Sequence, residues 1–170
     1  MTTSADVLID SITRVKETTA RAAKDLSQAQ LEIRLDPEAN TVGWLLWHLG
    51  RVQDAQVAAA AGFDQLWITD GWMDRFSLPF EPGETGYAHS AEDVGQVVGV
   101  SAQLLADYVA AVCDRTVDYL RTLHDEDFDR VVDTRWNPPV TLAARLVSVV
   151  SDDLQHAGQA AFLRGLIERA

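Results

Sequence analysis

The chain has 170 residues, 47% apolar and 24% charged, which is enough for one substantial core, is short for two, and excludes a disordered chain. Its net charge of −12, with Lys16 and Lys24 as the only lysines, argues against a nucleic-acid binder, because a phosphate backbone would be repelled by most of the surface. No apolar run is long enough to cross a bilayer, Met1 to Asp6 lacks the basic and apolar segments of an export signal, and the lone cysteine, Cys113, excludes an intrachain disulfide; the expected location is cytoplasmic.

The periodicity predicts a first helix over Ala5 to Gln28, with Val7, Leu8, Ile12, Val15, Ala22 and Leu26 at three- and four-residue intervals and Ser4 as its N-cap. Pro37 and its turn-forming neighbours interrupt the pattern. A second helix follows over Thr41 to Ala61, capped by Asn40 or Thr41 and ended by Gly62. His48 is expected at the edge of its buried face. Phe63 to Ser90 is a long connection holding Trp67, Trp72, Phe76, Phe80 and Tyr87, too aromatic for a solvated linker and expected to fold over one end of the molecule.

Ser90-Ala91-Glu92-Asp93 has the form of a capping box opening a short helix to about Val98. Ser101 to Leu123 makes the third long helix, in which Cys113 is expected as a small buried hydrophobe. Asp125 to Val140 is a second connection, part of it extended, with no partner strand evident. Thr141 then caps a last helix running to about Glu168. Four long amphipathic helices predict an all-α four-helix bundle, formed as a single domain over residues 1–170.

The chemistry concentrates in Asp152-Asp153-Leu154-Gln155-His156. Residues four apart on a helix stack on one face with Cβ atoms roughly 5–6 Å apart, so Asp152 and His156 can share one metal ion. With His48 they make a candidate set of two imidazoles and a carboxylate. Asp153 falls near the middle of the apolar face, where a carboxylate is costly without a partner, and is expected to orient one of the ligands from behind. The plain structural alternative for it is an ion pair with Arg51, Arg145 or Arg164.

Three features also carry a resemblance: Thr41-Val42-Gly43-Trp44-Leu45-Leu46-Trp47-His48-Leu49, Asp152-Asp153-Leu154-Gln155-His156-Ala157-Gly158-Gln159, and the order of helices around them. Together they resemble the DinB/YfiT-like superfamily of metal-binding four-helix bundles, over essentially the whole chain. The resemblance implies that His48, Asp152 and His156 are ligands of a divalent metal. Many members have histidine where this chain has Asp152. A triad of two histidines and one carboxylate resembles the mycothiol-dependent maleylpyruvate isomerase branch instead. Ala157 is a second departure, because an arginine often stands there in relatives.

Two imidazoles and a carboxylate leave a coordination position open, as in catalytic zinc sites, although the same donors suit nickel, iron or manganese. Zinc is favoured here. A metal lowers the pKa of a thiol or water bound to it, so two chemistries follow. The first, implied by the resemblance, uses a low-molecular-weight thiol such as mycothiol for S-transfer or isomerisation on a small electrophile. The second is metal-dependent hydrolysis, with Asp153 or His89 as a proton shuttle. A third reading is a non-catalytic metal-binding or small-molecule-binding bundle. The alanine-rich, arginine-over-lysine composition fits an actinobacterial source, where mycothiol is the expected thiol. Trp67, Trp72, Phe76 and Tyr87 are expected either to roof the site or merely to cap the core. Apolar helix surface left over from the bundle is compatible with a homodimer.

Overall fold

The computed structural model describes residues 1–169. Its frame is four long helices: α1 (Ser4–Ala23), α3 (Val42–Ala61), α7 (Ala102–Leu120) and α8 (Leu142–Ile167). Short helices α2 (Gln28–Leu31), α4 (Leu66–Thr69), α5 (Trp72–Phe76) and α6 (Ala91–Val94) lie in the connections. Helix α3 packs on α7 and α8, and α1 packs on the same two, so α1 and α3 occupy one diagonal of the bundle. Among the described residues no helix is long and apolar enough to cross a membrane.

Side-chain caps set where these helices start. The hydroxyls of Thr41, Ser101 and Thr141 accept from the backbone N–H three residues on, opening α3, α7 and α8. Each such cap contributes about 1 kcal/mol. Ser90 and Asp93 form the expected capping box of α6. Gly62, at φ +78°, ends α3 in the left-handed conformation that glycine adopts without penalty.

Four boundaries and three short elements, α2, a 3-10 turn and a strand pair, depart from the sequence reading. Helix α1 is capped by Thr3, not Ser4, because Thr3 and Asp6 form the reciprocal box. It stops at Ala23, where the chain turns through Asp25 in a left-handed conformation before Ser27 caps α2. Helix α6 ends at Val94 and α7 at Leu120. Asp125–Asp129 is a 3-10 turn. The second connection does contain a strand pair: β1 (Val131–Asp133) runs antiparallel to β2 (Val140–Thr141), with Val131 opposite Thr141 and Asp133 opposite Val140. Two residues of β2 beside Pro138-Pro139 carry too little alternation to show in the sequence.

The core forms two adjoining clusters. One gathers Leu45, Leu46, Trp47, Trp67, Leu105 and Tyr108, and the other Ile12, Val15, Leu49, Val109, Leu142 and Leu146. Helix α3 serves both, and Val42 through Arg51 are buried without interruption. Gly50 allows the close approach of α3 to α7, since a Cβ there would lie 2.8 Å from the Tyr108 ring. His48 is therefore not at an edge but buried, because the connection after α3 folds back over that helix's outer face.

The aromatic connection divides in two. Trp67, Trp72 and Phe76 point into the core against Tyr108, which makes them bundle caps and not a roof. Tyr87 is exposed. The segment that does roof the outer face of α3 is Pro82 to His89, and Arg51 fastens it. This fully buried guanidinium donates to the carbonyls of Pro82 and Glu84, to Gln65 Oε1 and to Tyr108 Oη, and pairs with Asp54 at 3.6 Å. Burying a charge is tolerable when hydrogen bonds satisfy it this fully.

Candidate metal centre

The middle of α3 faces one and a half turns of α8, and His48, Asp152 and His156 meet between them. One potential donor atom from each lies within 4.8 Å of the other two. The imidazoles of His48 and His156 cross edge to face with centroids 4.7 Å apart. His156 Nε2 stands 3.6 Å from Asp152 Oδ1.

Each imidazole has its other nitrogen engaged. His48 Nδ1 donates to the carbonyl of Thr85 at 2.6 Å, since a carbonyl can only accept. His156 Nδ1 donates to Gln159 Oε1 at 3.1 Å. Both Nε2 lone pairs are thereby left for a third party. Asp152 Oδ2 is buried without a hydrogen-bond partner. Two imidazole Nε2 atoms, an orphaned carboxylate oxygen and outer hydrogen bonds to both Nδ1 atoms suit a divalent cation.

The two imidazoles differ electrostatically. Burial pushes the His48 pKa down, against the Thr85 carbonyl that pulls it up. That of His156 is raised, chiefly by its interaction with Asp152. Trp44, one turn before His48, stacks on that ring at 4.5 Å and 8° and meets His156 edge-on at 6.2 Å. Trp44 and His48 are buried, while Asp152 and His156 are half-buried.

Asp153 and His89 take other positions. Asp153 is fully buried, as its place on the apolar face implies, but neither carboxyl oxygen has a partner. Burial raises its pKa well above the ordinary carboxylate range. The arginines considered as its partners are committed elsewhere: Arg51 to Asp54, Arg145 to Asp133 and Arg164 to Glu168. It does not orient a triad ligand; Thr85 and Gln159 do that. His89 lies behind Trp44, accepting from its Nε1 at 3.2 Å, with its own Nε2 3.2 Å from Glu84 Oε2. Both of its nitrogens are occupied, and its ring is packed on Trp47 and Phe80.

Two contributors escaped the sequence reading. The Thr85 carbonyl is backbone and carries no side-chain signal. Gly86, at φ +91°, lies so close that a Cβ would be 2.6 Å from His48 Nδ1. The one available hint was a glycine inside an aromatic segment, where backbone often approaches something closely. Cys113 is buried as expected, and burial pushes its thiol far above the usual range, so it offers no thiolate.

Comparison with known proteins agrees with this architecture. No curated protein matches the sequence. A solved conserved protein from Enterococcus faecalis is 30% identical, with a TM-score of 0.92 and complete coverage of both chains. A DinB-like protein from Bacillus cereus is 20% identical with a TM-score of 0.62, over 92% of this chain and 87% of that one, and shares the fold. The DinB superfamily domain spans residues 11–160, which takes in α3 and α7, most of α1 and α8 and the whole triad, and the chain belongs to that superfamily.

Proposed function

We propose that the chain is a metal-dependent enzyme that activates a low-molecular-weight thiol, of the mycothiol type, for S-transfer or isomerisation on a small electrophile. The observation that carries this reading is the convergence of His48, Asp152 and His156, with both Nδ1 atoms already hydrogen-bonded. A bound divalent cation, zinc in our reading, would supply the Lewis acidity that lowers the pKa of a thiol at the remaining open position.

The residues themselves divide the work. Asp152 contributes one negative charge, so the triad leaves a divalent ion with net positive charge and a preference for an anionic fourth partner. The Thr85 carbonyl and Gln159 hold the two rings in place. Trp44, buried and stacked on His48, covers that ring and meets His156 edge-on, which would limit water access to both imidazoles. The proton lost from a metal-bound thiol or water would pass to solvent, since neither Asp153 nor His89 is free to take it, and the preference for thiol chemistry over hydrolysis rests on the resemblance. Asp153 is sealed in the core, and both nitrogens of His89 are engaged. The mycothiol assignment rests on the resemblance of a two-histidine, one-carboxylate triad to the maleylpyruvate isomerase branch.

Metal analysis combined with a thiol titration tests the proposal. The purified protein is expected to hold near-stoichiometric divalent metal after dialysis and to lose it in His48→Ala and in Asp152→Ala. The cobalt-substituted protein should develop a sulfur-to-cobalt charge-transfer band with mycothiol, and none with its S-methyl derivative. Metal retained in both variants would overturn the ligand assignment, and a silent thiol titration would overturn the chemistry.

A further inference from the structure

The faces of α3 and α8 that bear the triad continue beyond it. On α3, Val52, Ala55 and Ala59 lie within about 40° of His48 on the helical wheel. On α8, Arg145 precedes Asp152 by seven residues, placing it within about 20° of that face and roughly 10 Å along the axis. Gln56 meets Arg145 as His48 meets Asp152, so the helices run antiparallel and the two stripes extend in the same direction. They lead into an open cleft of about 720 Å³, lined among others by Val52, Gln56, Thr85, Asp133, Arg135 and Arg145. Thr85 is shared: its carbonyl holds His48 and the residue also borders the cleft.

The charge of this cleft is opposite to that of the molecule. The chain carries −12 overall, yet the cleft is lined by two arginines and one aspartate. Asp133 is bridged by Arg135 Nη2 and Arg145 Nη2, both at 2.8 Å, and Arg135 Nε adds a bond at 3.0 Å. One carboxylate thus serves two guanidiniums, and one positive charge is left over. The Arg145 side chain is 18% exposed and Arg135 85% exposed, so the first lies in the wall and the second at the open rim, where its Nη1, not used on Asp133, faces solvent. Arginine forks of this kind match carboxylate and phosphate groups.

We infer that this cleft is the substrate site and that Arg145 and Arg135 bind an anionic group, a carboxylate or a phosphate ester, at the end of the electrophile remote from the triad. The occupant is a small organic anion whose reacting atom lies roughly 10 Å from that group along the α3–α8 groove, a distance set by the seven-residue offset of Arg145 from Asp152. Its orientation toward the triad rests on the metal reading above; the anion site itself does not.

Titration calorimetry on the chelator-treated protein separates the two. Three probes are used: glutarate, inorganic phosphate and the neutral diamide of glutarate. Saturable binding of an anionic probe, weakened by added salt, is expected. It should weaken at least tenfold in Arg145→Met and in Arg135→Met, recover partly in Arg145→Lys, and persist in His48→Ala. The tighter of glutarate and phosphate identifies the group the site is built for. Because Arg135 is exposed, its variant keeps the fold and remains informative if Arg145→Met does not. The inference is overturned if the diamide binds as well as glutarate, if the Arg135→Met and Arg145→Met proteins bind the anions unchanged, or if no anion saturates. Zinc-loaded protein is then titrated with glutarate: tighter binding supports the proposed alignment with the triad, and unchanged binding removes that alignment while leaving the anion site standing.

Discussion

At the triad, the atoms that fix the two imidazoles come from different levels of the chain. Gln159 reaches His156 from the same helix three residues on, and its place beside His156 follows from the helical repeat. The Thr85 carbonyl reaches His48 across 37 residues of sequence. His48, Asp152 and His156 were therefore legible from residue type, spacing and resemblance, whereas the backbone acceptor and the glycine beside it were not. Asp153 shows the same limit in reverse. Its burial could be read from the wheel, but its lack of any partner depends on where Arg51, Arg145 and Arg164 go. Gly86 is the residue where the unread part can be tested. A Cβ there meets His48 Nδ1 at 2.6 Å, Trp47 at 3.0 Å and Trp44 at 3.2 Å, at a φ of +91° that L side chains rarely adopt. Gly86→Ala is expected to push the loop off His48 and weaken metal binding by about 10- to 100-fold, the usual effect of losing an outer hydrogen bond to a ligand. Competition with a chromophoric chelator measures it, and an unchanged affinity would show that this loop does not hold the ring.

The long helices were readable because their periodicity and caps agree: Thr41, Ser101 and Thr141 each stand at an observed N-cap. Their C-terminal ends were less so. Leu26 continues the apolar spacing of α1, yet the chain leaves the helix at Lys24 and Leu26 reaches the core from a turn. The hairpin is held by a tertiary ion pair that local pattern cannot register, Asp133 of β1 with Arg145 of α8. The charge-assisted bonds of Arg135, together with Arg145, hold the Asp133 carboxyl well below the ordinary carboxylate range. A depressed folded-state pKa means that the stabilisation is fully present above about pH 4, the unfolded value, and is lost as pH falls through the lower folded value. Asp133→Asn is therefore expected to be less stable than wild type at pH 7, with the gap closing on acidification below about pH 4. Arg135 is exposed, so added salt should narrow the gap as well. Urea unfolding across pH checks both; a gap that widens in acid would exclude this ion pair as the hairpin's anchor.

For the molecule as a whole, the triad lies where three parts of the chain come together: α3, α8 and the roof segment that Arg51 fastens. A metal there would tie two neighbouring helices of the bundle and, through the Thr85 carbonyl, the connection that covers them. Removing it from the native state should lower stability in proportion to occupancy, because a ligand that binds only the folded chain stabilises it by RT ln(1 + [L]/Kd). At free metal about 100 times Kd this amounts to about 2.7 kcal/mol. For a chain of this size, 1 kcal/mol corresponds to roughly 2–4 °C in Tm, so chelation should lower Tm by about 5–10 °C. The buried clusters on either side of α3 contain no part of the triad and remain intact, so the metal-free protein should still unfold cooperatively. Calorimetry with and without chelator measures this, with His48→Ala as the control whose Tm should not respond to metal. A chelator-insensitive wild-type Tm in a protein shown to contain metal would mean that the ion sits elsewhere on this strongly acidic surface.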